Sequence, residues 1–217
     1  MTTSGIRAAL LTKGARQLGH PHGWFGRRVL PRLLNKGNGP TVTGTVRALD
    51  PRAGHTVADI GFGGGLGLAL LLGAVGSDGR VHGVDISTAV LARARRTFRA
   101  DADRLAVQEG SITALPLPDN VLDGAICVNT VYFVKDIEAA FGEVARVLRP
   151  GGRLVLGVAD PEHLRALPFT PYGFIVREID VLFDALSAAG LIKRDHQRVG
   201  DFHLLVVESA GAGTGAA

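Results

Sequence analysis

The stretch VADIGFGGGLG, Val57 to Gly67, decides the fold. A short apolar, β-branched run ends at Ile60, and five glycines (Gly61, Gly63, Gly64, Gly65 and Gly67) then crowd into seven positions before an apolar helical stretch begins. Side chains have been removed where a strand turns into a helix, which lets backbone come close to a ligand. The dinucleotide fingerprint G-x-G-x-x-G fails in either register, because its sixth position falls on Leu66 or on Leu68. What fits is D-x-G-x-G-x-G, made by Asp59, Gly61, Gly63 and Gly65. A carboxylate two residues before the glycines would repel a phosphate, and it suits a ligand bearing an ammonium group.

Outward from this turn, apolar strands alternate with helices. The pattern predicts strands at His55–Ile60, Arg80–Asp85, Leu105–Glu109, Leu122–Val128 and Gly152–Val158, and helices at Leu66–Val75, Ser87–Arg99, Asp136–Leu148 and Arg177–Gly190. RPGG, Arg149 to Gly152, is a strong stop. Parallel βαβ units with both sheet faces covered follow from this order. The closing segment LIKRDHQRVGDFHLLVVES reads as two strands turning at Gly200–Asp201, so the sheet is expected to be mixed at that edge.

In a doubly wound sheet, ligands bind beyond the carboxyl ends of the strands. Asp85 ends the second strand, twenty residues after Gly65. Two roles are open to it: accepting the two ribose hydroxyls of a nucleoside, or capping the next helix. Ser111 and Ile112 follow the third strand, where they would meet the edge and face of a base; Asn129, Thr130 and Tyr132 follow the fourth.

The segments ADIGFGGG, VHGVDIS, QEGSITALPLPDNVLDGAICVNTVYFVKD and EVARVLRPGGRLVLG, spread over about residues 50–160, together resemble the class I S-adenosylmethionine-dependent methyltransferases. They are most similar to the small-molecule group that includes the ubiquinone/menaquinone methyltransferases. The resemblance implies a Rossmann-like, doubly wound, seven-stranded mixed sheet with the last strand antiparallel and helices on both faces. It implies S-adenosylmethionine as cofactor and S-adenosylhomocysteine as product; no metal is expected, because the sequence supplies no ligand cluster and a sulfonium needs no Lewis acid to leave. Gly61, Gly63 and Gly65 would pass under the methionine part and ribose, Asp59 would meet the amino end, Asp85 the ribose hydroxyls, and Ile86 the adenine. Ser111 stands where the family often has an acid for the adenine amino group, and Asn129 would lie near the sulfonium.

Methyl transfer to an O, N or C nucleophile by in-line displacement needs positioning more than side-chain chemistry. Where the acceptor does need a base, His20, His22, Tyr132, His163 and Tyr172 are candidates. Trp24, Tyr132 and Tyr172 are candidates to line an acceptor pocket. NTVY stands where nucleic-acid base methylation would want Asn/Asp-Pro-Pro-Tyr/Phe, Cys127 lacks a Pro-Cys context, and no Cys/His cluster has zinc spacing. A small-molecule substrate is expected, with nucleic acid disfavoured and a homodimer left open. Two alternatives remain, a non-methylating enzyme on this scaffold and a modifier of RNA or protein.

Composition frames these readings. At 217 residues and 46% apolar content, the chain can bury a sizeable core. One cysteine excludes an internal disulfide. No apolar run approaches the ~20 residues a membrane-spanning helix needs, and no signal-peptide core opens the chain, so a cytoplasmic enzyme is expected. Residues 1–52 hold nine Lys/Arg against the single acid Asp50, a net +8, while the remainder carries −4. This basic front end, with GHPHGWFGRRVLP inside it, is read as an N-terminal helical cap or lid over residues 1–50, a membrane contact or a solvated face. Residues 51–208 are read as the cofactor-binding core and 209–217 as a disordered tail.

Overall fold

The computed structural model of the chain describes residues 30–167, 170 and 173–210, the first nine of these by backbone alone. Helix α1 (Leu30–Leu49) is followed by β1 (Thr56–Ile60), α2 (Leu66–Val75), β2 (Arg80–Asp85), α3 (Thr88–Thr97), β3 (Leu105–Glu109), β4 (Leu122–Val128), α4 (Ile137–Val147), β5 (Leu148–Ala159), α5 (Pro161–Ala166), α6 (Ile179–Ala188), β6 (Leu191–Val199) and β7 (Phe202–Ser209). Short 3₁₀ turns lie at Arg99–Asp101 and Val131–Phe133.

The seven strands form one sheet in the order β3-β2-β1-β4-β5-β7-β6. β1 pairs in parallel with β2 and β4, and the parallel pairing continues outward to β3 and β5. β7 runs antiparallel to both β5 and β6, so it is the reversed strand. The order reverses at β1 and β4, which puts a crevice beyond their carboxyl ends.

Side-chain alternation along the strands divides the core in two. Ala58, Ile60, Ala125, Cys127, Leu205 and Val207 face the layer built by α4 and α6. Val57, Ile126, Leu204 and Val206 face the other layer, with α1, α2 and α3. α4 shows how its sequence makes such a layer: Ala140, Phe141, Val144 and Val147 recur at helical spacing and are fully buried. The Asp136 carboxylate accepts from Ala139 N at 2.9 Å and starts that helix.

Three differences from the sequence reading have local causes. β5 is longer than expected: the RPGG stretch stops α4 but stays in the strand, absorbed by a shift of register against β4 between Leu122 and Gly124. α3 stops at Thr97 and continues as a 3₁₀ turn. α1 contains Gly37, Gly39 and Pro40, poor helix formers, and is held by its neighbours. Thr41 and Thr45 are buried beside Gly157 of β5, Thr45 Oγ1 donates to Thr41 O at 2.8 Å, and Leu49 lies over Gly124 of β4. At the other end β7 runs to Ser209, which pairs with Leu191. Among the described residues no helix is long and apolar enough to cross a membrane.

Candidate active site

The glycine turn links β1 to α2. Gly61, Gly63 and Gly65 have φ of 75°, 47° and 83°, the left-handed region that L side chains rarely adopt. Gly61 N donates to Val84 O at 2.7 Å and ties the turn to β2. A Cβ on Gly61 would overlap the Thr130 side chain. A Cβ on Gly67 would overlap the Asp59 carboxylate, so this fifth glycine, outside the D-x-G-x-G-x-G spacing, is required by what lies under it.

Two carboxylates flank the turn. Asp85 accepts Gly63 N at 3.1 Å through one oxygen and Ser87 N at 2.9 Å through the other. The cap of α3 is Ser87, whose hydroxyl accepts from Val90 N at 3.5 Å. Asp85 therefore joins the glycine turn to the helix entry, and its carboxylate lines the cavity described below. Asp59 is 4% exposed and also lines it. None of the hydrogen bonds among the described residues ends on its carboxylate. Burial first, and the charge of Asp85 second, push the Asp59 pKa up to about 8.

The other predicted positions fall around the same space. Ile86 is a large apolar side chain left 41% exposed beside Asp85. The Ser111 and Thr113 hydroxyls are hydrogen-bonded at 2.8 Å, and Ile112 is buried. Asn129 follows β4 with φ 57°, a left-handed conformation that asparagine tolerates. Its Oδ1 accepts from the Tyr132 hydroxyl at 3.1 Å, and Tyr132 Oη accepts from Ala159 N. Thr130 Oγ1 is 3.3 Å from both Ile60 O and Val128 O.

These residues line a cavity of about 550 Å³, together with Val42 of α1, Phe133, Lys135, Asp136, His163, Leu164, Leu167, Phe174 and Phe202. Its size is that of a site for a small molecule or cofactor. Asp59, Gly61, Gly63, Asp85, Ile86, Ser111, Ile112, Asn129, Tyr132 and His163 are brought together; Gly65 borders a smaller cleft on the far side of the turn, against Phe98. His163 is an exposed residue of α5, with Nδ1 3.6 Å from Asp201 Oδ2. His20, His22, Trp24, Tyr172 and most of the expected lid segment lie outside the described residues. Among the described residues, no three His, Cys, Asp or Glu side chains converge as a metal site would require.

Sequence reasoning missed the wall made by Phe133 and Phe174, with ring centres 4.9 Å apart, and the arginine behind it. Arg177 donates to Val131 O, Val134 O and Lys135 O at 2.7–3.1 Å and fastens the loop after β4 to the segment before α6. It missed a second fastening as well. Glu143 of α4 accepts from Leu115 N, and Arg146 donates to Leu115 O, Leu117 O, Asp119 and Glu143, all within 2.6–3.1 Å. The signal was present, because a Glu and an Arg three apart share a helix face, but the loop they reach is distant in sequence.

Residues 58–156 match the family of methyltransferase domains. The chain is 35% identical over 127 residues to the demethylmenaquinone methyltransferase of Symbiobacterium thermophilum, covering 58% of this chain and 49% of that protein. It is 36% identical over 108 residues to the 27-O-demethylrifamycin SV methyltransferase of Amycolatopsis mediterranei, covering 49% and 39%. It thus spans about half or less of the length of these curated relatives. The fold is shared with a SAM-dependent methyltransferase from Aquifex aeolicus at a TM-score of 0.69, with 21% identity over 82% of this chain and 97% of that one. With the glycine turn and its two carboxylates in place, residues 58–156 form a methyltransferase domain like those of the class I S-adenosylmethionine-dependent methyltransferases. Residues 58–156 are the matched domain.

The residues present fit S-adenosylmethionine. The glycine turn is a cradle that Cβ atoms would obstruct, an exposed isoleucine adjoins a carboxylate, and a buried acid with no protein partner among the described residues faces the cavity. That acid calls for a cation, and the methionine ammonium is one.

Proposed function

We propose that the protein methylates a small-molecule nucleophile, at O, N or C, with S-adenosylmethionine as donor. The observation that carries this reading is the meeting of the glycine turn, Asp85 and the buried Asp59 in one cavity at the carboxyl ends of β1, β2 and β4. Bound S-adenosylmethionine supplies a methyl group already activated by its sulfonium. The chain's own residues bind, orient and exclude water. Asp85 accepts the ribose hydroxyls, Asp59 pairs with the methionine ammonium, and Ile86 covers the adenine. The loop at Ser111 and Ile112 meets the adenine edge, with a hydroxyl or backbone group serving in place of an acid. Asn129 stands on the acceptor side.

Tyr132 orients and does not take the proton. Its hydroxyl is committed to Asn129 and Ala159, and burial pushes its pKa well above the ordinary phenol value. His163, exposed at the mouth with Nδ1 3.6 Å from Asp201 Oδ2, is the candidate base for an acceptor that must lose a proton. The names of the two relatives support a small metabolite as acceptor. No metal is required, because a thioether leaves a sulfonium without a Lewis acid; turnover should survive a chelator. The test is calorimetry with S-adenosylhomocysteine, expected to give ~1:1 binding, then a metabolite screen with methyl-labelled S-adenosylmethionine. Tighter binding of NAD than of either nucleoside would defeat the proposal.

A further inference from the structure

Inside the cavity the polar groups are few. Lys135, Asp136 and His163 are exposed residues at its mouth, and Asp136 already caps α4. Thr130 Oγ1 lies within reach of two carbonyls. Asn129 is set further in, next to the apolar wall of Tyr132, Phe133 and Phe174, whose rings are 4.9–6.5 Å apart.

The hydrogen bonds decide which atom of the Asn129 amide the protein itself engages. Ala159 N–H can only donate, so Tyr132 Oη accepts there. The hydroxyl hydrogen then goes to Asn129, and the atom that receives it must be Oδ1. Asn129 lines the cavity, and among the described residues no acceptor takes its Nδ2 hydrogens. A half-buried donor without a partner penalises any ligand that cannot accept from it.

We infer that Asn129 is a specificity-determining residue on the acceptor side, and that it selects a flat, apolar, typically aromatic acceptor carrying an oxygen that accepts hydrogen bonds: a ketone, an enolate or a phenolate. The aromatic wall takes the body and the Asn129 amide takes the oxygen. Tyr132 is the positioning residue that keeps the amide from turning over. The inference rests on the methyltransferase reading of the cavity.

The test uses three naphthalene probes against the full chain, with and without saturating S-adenosylhomocysteine: 2-acetonaphthone, its oxygen-free counterpart 2-ethylnaphthalene, and the donor 2-naphthylamine. The ketone should bind about fivefold or more tightly than either of the others, the size of one net hydrogen bond. Asn129→Gly keeps the left-handed backbone and should abolish the preference, with hydrocarbon binding retained and S-adenosylhomocysteine affinity unchanged within threefold. Tyr132→Phe should weaken the preference; if it does not fold, Asn129→Gly alone decides. Equal binding of the probes, no binding of any, or a preference that survives Asn129→Gly overturns the inference. So does a loss of S-adenosylhomocysteine affinity in that variant, which would make Asn129 a cofactor contact. Failure of the wild type to bind S-adenosylhomocysteine sinks the cofactor reading instead, and the probe titrations without it still decide the acceptor inference.

Discussion

Asp59 is the residue on which charge and burial meet in the cavity. Its carboxyl titrates near pH 8 in the empty protein, against about 4 in an unfolded chain. A raised folded pKa means that stability is fully present below the unfolded value and is lost as pH rises through the folded one. The unliganded protein should therefore weaken between about pH 4 and pH 8. Asp59→Asn removes the penalty, and at pH 9 the unliganded variant should melt at least ~2–4 °C above wild type, the equivalent of one kcal/mol at this chain length. In the proposed complex the preference should reverse, because an ammonium beside Asp59 would favour its ionised form. At pH 7 S-adenosylhomocysteine should release protons, read as a buffer-dependent heat, and its affinity should rise towards pH 8. A heat independent of the buffer's ionisation enthalpy would place the ammonium elsewhere. Asp85 differs, since it already accepts from Gly63 N and Ser87 N. Asp85→Ala should weaken S-adenosylhomocysteine by about 1.5–3 kcal/mol, measurable by calorimetry on a folded variant.

At the scale of elements, α4 acts on the side of the cavity formed by the loop after β3. Glu143 and Arg146 grip the loop after β3 through its backbone at Leu115 and Leu117. Their pairing holds the Glu143 carboxyl below its usual range and the Arg146 guanidinium above. Ser111 and Ile112 lie at the start of that loop, pinned by a bridge from Ser111 to Ala114. Arg146→Ala should raise the S-adenosylhomocysteine dissociation constant by about two- to tenfold. It should also speed amide exchange across residues 110–119 while leaving exchange in the glycine turn unchanged. Arg146→Lys should recover little, because one ammonium cannot reproduce a fork of donors. Unaltered exchange in that loop would reduce the pair to a surface ion pair.

Across the whole molecule, the hairpin β6–β7 extends one edge of the sheet and α1 covers one face of β4, β5 and β7. Leu49 packs where Gly124 leaves room; a Cβ there would lie 2.7 Å from Leu49 Cδ1. Leu49→Ala should cost about 2–5 kcal/mol, seen in the urea midpoint. Because Val42 of the same helix lines the cavity, loosening α1 should weaken binding as well as stability. A variant destabilised by this amount with unchanged ligand affinity would confine α1 to a packing role.

The sequence alone determined the alternation of strands and helices, the reversed final strand and the acid-glycine turn, because each is local. Apolar runs, helix starts and positive-φ turns are written in a few adjacent residues, and those at Val57 to Gly67 and at Asp85 were legible as parts of one candidate site, which the fold gathers around one cavity. Tertiary structure decided the rest. Gly67 looks like one more small residue until Asp59 is found beneath it. Tyr132 looks like a base until its hydroxyl is found between Asn129, three positions away, and Ala159, twenty-seven positions away at the end of β5. Arg146 and Arg177 look like surface charges until the backbones they hold are brought to them. The partners of Arg146 and Arg177, and the Ala159 amide beside Tyr132, are distant in sequence and arrive only when the sheet assembles, and even the nearer pair Gly67–Asp59 meets only once strand and helix have packed, so no local pattern encodes these contacts.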